Sequence, residues 1–285
     1  MKETGPTGVS GLRLMFLCLI VLPFTGESPI LHAEDILFIG NSYTFAAQAP
    51  AVEAHGGVPK LFEEISRAKG KHVTTDSLTA PGKDWSYHLV QPATDTALGS
   101  RKWDWVVLQN YSTSATQAGN TEKFLSDGDT FSDRIAKNSP GAGILLYETW
   151  ARPTGKFYQQ GPGKILSGPA RMLEEIQQSY EHLRSDLESR DSHYPHRVVR
   201  VAKVGTAFAR AQLQFPGIEL IAGDQHHATA EGYYLAALVI YETLYQESAK
   251  GAPSSFFQNT VTFPGDVAAH LQQVADEVAV NPPHH

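Results

Sequence analysis

The sequence predicts an α/β protein with a flavodoxin-like three-layer α/β/α arrangement around a central, five-stranded, mainly parallel sheet. Short apolar runs alternate with stretches of helical periodicity, as expected of parallel strands joined by crossover helices. Five such runs occur, each followed by Gly, Pro or polar residues. Composition, with 41% apolar and 19% charged residues, is that of an ordinary globular protein. It shows no step, linker or internal repeat after residue 33, so residues 34–285 read as a single domain.

Residues 1–33 stand apart. Lys2 and Arg13 precede an apolar run from Leu14 to Phe24, too short to cross a bilayer, and small and polar residues lead on to Ala33. This reads as a signal peptide cut near Ala33, which predicts a secreted or periplasmic bacterial product with no stable membrane insertion after cleavage. The single cysteine, Cys18, lies inside this segment, so the mature chain is expected to lack disulfides, thiolate nucleophiles and cysteine metal ligands.

The strands are expected at Asp35–Ile39, His72–Leu78, Asp104–Gln109, Gly143–Tyr147 and Val198–Val204. Between them, Leu61, Phe62, Ile65 and Ala68 mark a helix over Pro59–Lys69. Met172, Leu173, Ile176, Tyr180, Leu183 and Leu187 mark a longer one over Ile165–Arg190. Thr229 is placed to cap a last helix, Glu231–Tyr245, whose inner face carries Tyr234, Leu238, Tyr241 and Leu244. Asp127, Asp129 and Asp133 read as a solvated loop, because Ser132 stands where a calcium loop needs Gly.

Net charge is −7. Positions 1–33 hold two basic residues (Lys2, Arg13) and two acidic ones (Glu3, Glu27), so their removal leaves it at −7. With basic residues scattered over a mildly acidic chain, nucleic acid is excluded as a partner.

In an open α/β sheet, reactive groups gather beyond the carboxyl ends of the strands. The first strand runs into Gly40-Asn41-Ser42-Tyr43-Thr44, a tight turn that can present a serine hydroxyl to the crevice. Alone, such a turn is weak evidence, because Asn and Ser are common turn and cap residues. Its counterpart is Gly223-Asp224-Gln225-His226-His227, just before the last helix. An Asp three residues ahead of a His lets the carboxylate hold the imidazole that takes a serine proton. His227 suits this role better than His226, which lies only two residues from Asp224.

Ile36 to Thr44 resembles block I of the SGNH/GDSL hydrolases, and Asp224-x-x-His227 with Gly232 resembles their block V. Ala80-Pro81-Gly82-Lys83-Asp84-Trp85 with His88 is similar to block II, and Val106 to Ser112 to block III. The blocks come in the family's order across Glu34–Leu244, and the nearest subgroup is the bacterial DUF4886-like one, with its "VVLQ" strand and Tyr-Leu-Ala-Ala helix start. The resemblance implies the SGNH fold, a Ser42, Asp224, His227 triad, an acyl-enzyme and no cofactor or metal. It also implies an oxyanion hole from the amides of Ser42 and Gly82 and a side-chain amide after the third strand. Gln109-Asn110-Tyr111-Ser112 departs from the usual Gly-x-Asn-Asp, which leaves Gln109 and Asn110 both as candidate donors.

The expected substrate is a small-molecule or polysaccharide ester, with removal of acetyl or other short acyl groups from carbohydrate as the leading reading. A lipolytic esterase or a carbohydrate-binding protein with a degenerate site are the alternatives. Trp85, Tyr111 and Trp150, with Tyr87 and Tyr158, could floor a sugar cleft or close the core from above. Arg152 could grip an acidic group or pair with a surface carboxylate.

Overall fold

The computed structural model describes residues 1–5, 8, 33–190 and 197–279. The signal-peptide expectation over 1–33 falls largely outside the described residues. The chain divides into two units, Met1–Leu31 and His32–His285, and every strand and helix named here belongs to the second.

Five parallel strands, β1 (Glu34–Gly40), β2 (Val73–Thr79), β3 (Trp105–Leu108), β4 (Gly143–Tyr147) and β5 (Val199–Ala202), form one sheet in the order β2-β1-β3-β4-β5. Four short helices, α1 (Ser42–Phe45), α2 (Pro50–Glu53), α4 (Trp85–Leu89) and α5 (Pro92–Gly99), and one long one, α3 (Gly57–Ala68), surround the first two strands. Then come α6 (Thr121–Asn138), α7 (Lys156–Gln159), α8 (Pro169–Ser189), α9 (Val204–Gln214), α10 (Ala230–Tyr245) and α11 (Gly265–Ala279). A two-stranded antiparallel ribbon, β6 (Ser255–Phe256) and β7 (Val261–Thr262), precedes α11.

Strand residues alternate between two cores because successive side chains leave opposite faces of the sheet. Ile36, Phe38, Val107, Leu145 and Tyr147 pack with α3, α9, α10 and α11; Leu37, Ile39, Val106, Leu108, Ile144 and Leu146 pack with α4, α5, α6 and α8. Both faces are therefore covered, which explains why β3 (WVVL), β4 (GILLY) and the Ile36–Ile39 part of β1 are continuous apolar runs, whereas the edge strand β2 (VTTDSLT) is largely polar.

Three expectations need correction. Gly232 to Leu244 are all buried, so α10 has no solvent face; α3, α9 and α11 surround it. Asp127, Asp129 and Asp133 lie on α6 rather than a loop, with Phe124, Phe131 and Ile135 supplying its buried stripe. The long helix starts at Pro169, four residues later than expected, because a 3-10 turn at Pro162–Ile165 precedes it. Among the described residues no helix is long and apolar enough to cross a membrane.

Candidate active site

The strand order reverses between β1 and β3, since β1 leads to β2 on one side and to β3 on the other. A crevice at the carboxyl ends of these strands is the expected ligand position for such a sheet. Gly40-Asn41-Ser42 leaves β1 there, and Gln109-Asn110-Tyr111 leaves β3.

The Ser42 turn is held by buried hydrogen bonds. Asn41 caps α1 by accepting the Tyr43 N–H at Oδ1 (3.1 Å), and its Nδ2 donates to the Lys83 carbonyl (2.8 Å). The Asn41 N–H donates to Gln109 Oε1 (2.9 Å), which also accepts the Thr44 hydroxyl (3.0 Å). The buried His88 ring donates from Nε2 to the Gly40 carbonyl (2.9 Å); burial lowers its pKa, consistent with a neutral ring. Gly40 is required by close approach, because a Cβ there would lie 2.2 Å from Thr44 Oγ1 and 2.7 Å from Gln109 Oε1. Ser42, only 6% exposed, starts the single turn of α1.

Asp224 and His227 form a hydrogen-bonded pair, His227 Nδ1 to Asp224 Oδ2 at 2.6 Å. Asp224 Oδ1 accepts the backbone N–H of both His226 and His227, each at 2.9 Å. Burial pushes the Asp224 carboxyl up, but the His227 ring and the two amides outweigh it and hold it below its ordinary pKa. The loop is closed by a bridge between Ile221 and Ala228, with Gln225 in the left-handed region (φ 59°) at its tip. Thr229 caps α10 by accepting the Gly232 N–H at 3.2 Å.

Tyr43 and Trp150 join the two halves. The His226 carbonyl accepts from the Tyr43 hydroxyl (2.8 Å) and the Trp150 indole (3.2 Å). The two rings stack at 4.0 Å, and Tyr43 meets the His227 ring edge-on at 5.7 Å. The residue next to Ser42 thus sets the position of the loop bearing His227. Among the described residues no hydrogen bond joins Ser42 Oγ to His227.

The two candidate side-chain amides differ. Gln109 is committed at both ends, its Oε1 to Asn41 and Thr44 and its Nε2 to the Asn110 carbonyl. Asn110 Oδ1 accepts the backbone N–H of Trp85 (3.0 Å) and Tyr111 (2.8 Å), which fixes the orientation of the amide; among the described residues Nδ2 has no acceptor. Among the described residues the backbone N–H groups of Ser42 and Gly82 are likewise not engaged in backbone bonding. Gly82 adopts φ +67°, exposed at the turn that Asn41 ties to the Ser42 side.

Two candidate cleft residues are corrected. Trp85 is fully buried against Phe124, and Trp150 is 1% exposed between Tyr43 and Phe208, so both lie beneath the crevice. Tyr111 is half-buried, its ring 6.4 Å from that of His226. A cavity of about 750 Å³ opens on the Asp224 side and is walled by residues between Arg152 and Pro162.

No protein-family model matches the sequence, and no curated protein matches it. Solved structures do. A DUF4886 family protein from Bacteroides uniformis superposes with a TM-score of 0.68 at 17% identity, over 88% of this chain and 96% of that one. The fold is that of the SGNH/GDSL hydrolases. A lipase/acylhydrolase from Enterococcus faecalis matches with a TM-score of 0.54 at 14% identity, over 75% of this chain and 96% of its own. A Clostridium thermocellum family 3 carbohydrate esterase matches at 0.51 and 14%, over 74% and 94%.

The bracing roles of Tyr43 and Gln109 carry no clear signal in the sequence. Tyr43 is marked only by its place beside the serine, and its partner is a backbone carbonyl 183 residues away, which no side-chain pattern announces.

Proposed function

We propose that the chain is a serine ester hydrolase of the SGNH type, acting outside the cytoplasm on acetyl or other short acyl esters of carbohydrate. The observation that carries this reading is the Asp224–His227 pair, bonded at 2.6 Å and docked through Tyr43 onto the turn that bears Ser42. The likeness in fold to esterases, a carbohydrate esterase among them, supports the class.

In this reading a bound ester draws the Ser42 hydroxyl and His227 Nε2 into hydrogen-bonding distance, as catalytic bonds often tighten only in the complex. His227 takes the proton as Ser42 Oγ attacks the carbonyl carbon. Asp224, ionised and fixed by two amides, stabilises the imidazolium and holds the tautomer. The amides of Ser42 and Gly82 and the Nδ2 of Asn110 receive the oxyanion. Each such donor is typically worth about 3–4 kcal/mol of barrier. His227 returns the proton to the leaving alcohol, and water then resolves the acyl-enzyme by the same route. Gln109 braces the turn and donates nothing to the oxyanion.

The test is hydrolysis of p-nitrophenyl acetate, butyrate and octanoate by the chain beside Ser42→Ala, at matched concentrations of folded protein. Turnover of acetate that disappears in the variant is the expected result. Equal rates in both proteins would sink the reading and favour a binding protein with a degenerate site.

A further inference from the structure

Arg152 is a cation at the edge of the candidate site. It leaves β4 five residues after Tyr147 and lies half-buried on the wall of the 750 Å³ cavity that Asp224 and Gln225 also line. Its neighbours are neutral. Nη2 donates to Ser112 Oγ (3.0 Å) and lies 3.5 Å from the Tyr111 hydroxyl, and the guanidinium covers the Phe157 ring at 4.6 Å. Nε is buried with no acceptor. Among the described residues no carboxylate pairs with it, whereas Arg67, Arg101, Arg134, Arg171, Arg184 and Arg210 all have one. The expectation of a surface ion pair is therefore not met.

A planar guanidinium stacked on an aromatic ring, held by hydroxyls and lacking an acid, is pre-ordered for an incoming anion. Lys156, exposed and without an acidic partner among the described residues, lines the same cavity. The one acid there, Asp224, already accepts the His227 ring and two amides. Arg152 also lowers the pKa of His226, after burial the largest cause, so its charge is felt at the loop beside the dyad.

Resting on the hydrolase reading above, we propose that Arg152 selects esters whose alcohol portion carries an anionic group, with a carboxylate as the fitting chemistry. An acetyl group carries no charge, so for acetyl esters the anion belongs to the alcohol: a uronate in a carbohydrate, or a carboxylated aryl ester in a model compound. The cavity beyond Asp224 receives it, and Lys156 adds attraction at the rim.

Two matched pairs test this. One is acetylated methyl glucuronoside beside its methyl ester; the other is 3-acetoxybenzoate beside methyl 3-acetoxybenzoate. Released acetate gives kcat/KM for each. The charged member is expected to be favoured about 10-fold or more in at least one pair, mainly through KM, with the advantage shrinking as salt rises. In Arg152→Gln the charged-to-neutral ratio is expected to fall to near that of a charge-blind enzyme, and Arg152→Lys to recover part of it. Because the readout is a ratio, a general loss of rate does not imitate it, and the salt dependence of the unaltered chain stands even if a variant folds poorly. A ratio near one in the unaltered chain, or a preference that survives Arg152→Gln, overturns the proposal while neutral-ester turnover keeps the hydrolase reading intact. Turnover of neither member, together with failure to hydrolyse p-nitrophenyl acetate, overturns both.

Discussion

The two halves of the candidate site are built by opposite means. The Ser42 turn is buried, and Asn41, Gln109, Thr44 and His88 lock it through side chains drawn from three strand ends. The Asp224–His227 loop is more exposed, closed by its own carboxylate and amides, and meets the rest of the site around Tyr43 and Trp150, which both donate to the His226 carbonyl, with Tyr43 also against the two imidazole rings. One half is rigid because it is crowded, the other because it is tied to these two side chains. A local change should therefore be costly in stability on the Ser42 side and costly in alignment on the His227 side.

The largest expected effect breaks both halves at once. Ser42→Ala and His227→Ala should each lower kcat about 10⁴-fold or more, and the double variant should be no worse than either, because the groups act as a unit. Steady-state ester hydrolysis measures this, and additive losses would separate the two halves functionally. Next comes Asn110→Asp, which keeps an oxygen for the Trp85 and Tyr111 amides but removes the Nδ2 donor; kcat should fall roughly 10²–10³-fold with little change in melting temperature. Gln109→Glu, by contrast, should act on stability, since its Nε2 contact to the Asn110 carbonyl is structural.

Gly40→Ala sharpens the stability side. Its Cβ has no room against Thr44 and Gln109, so a destabilisation of about 1–3 kcal/mol is expected by denaturant unfolding. Tyr43→Phe sharpens the alignment side. It removes one of two donors to the His226 carbonyl, for about 1 kcal/mol, and should reduce kcat more than it reduces stability.

A further effect is in pH. Burial, with Arg152 and His227 behind it, lowers the His226 pKa to about 4 from 6.5. A depressed folded pKa contributes stability that is present above 6.5 and is lost as pH falls toward 4. Melting temperature should therefore decline over that window less steeply in His226→Gln than in the unaltered chain.

Much of the architecture was legible because the central strands β1, β3 and β4 carry unbroken apolar runs, and because Ser42 and Asp224-x-x-His227 sit next to strand and helix ends that sequence pattern locates well. The environment of α10 was not legible: a helix with apolar residues all round tells of burial, but the segment that covers its far side, α11, begins twenty residues further on. Trp85 and Trp150 were ambiguous for a related reason, since an aromatic just after a strand can point into the crevice or under it. The proposed choice of Asn110 over Gln109 rests on which amide is used up by other partners, and only contacts between distant segments show that. The missing acid partner of Arg152 is likewise a property of the folded surface.

That Ser42 is a nucleophile made reactive by the Asp224–His227 pair is open to direct chemical test. The chain is treated with a fluorophosphonate, and the peptide containing Ser42 is examined by mass spectrometry. A single adduct on Ser42 is expected, formed far more slowly in His227→Ala. No adduct on a folded chain, or one that forms equally fast without His227, would show that Ser42 is not activated in this way.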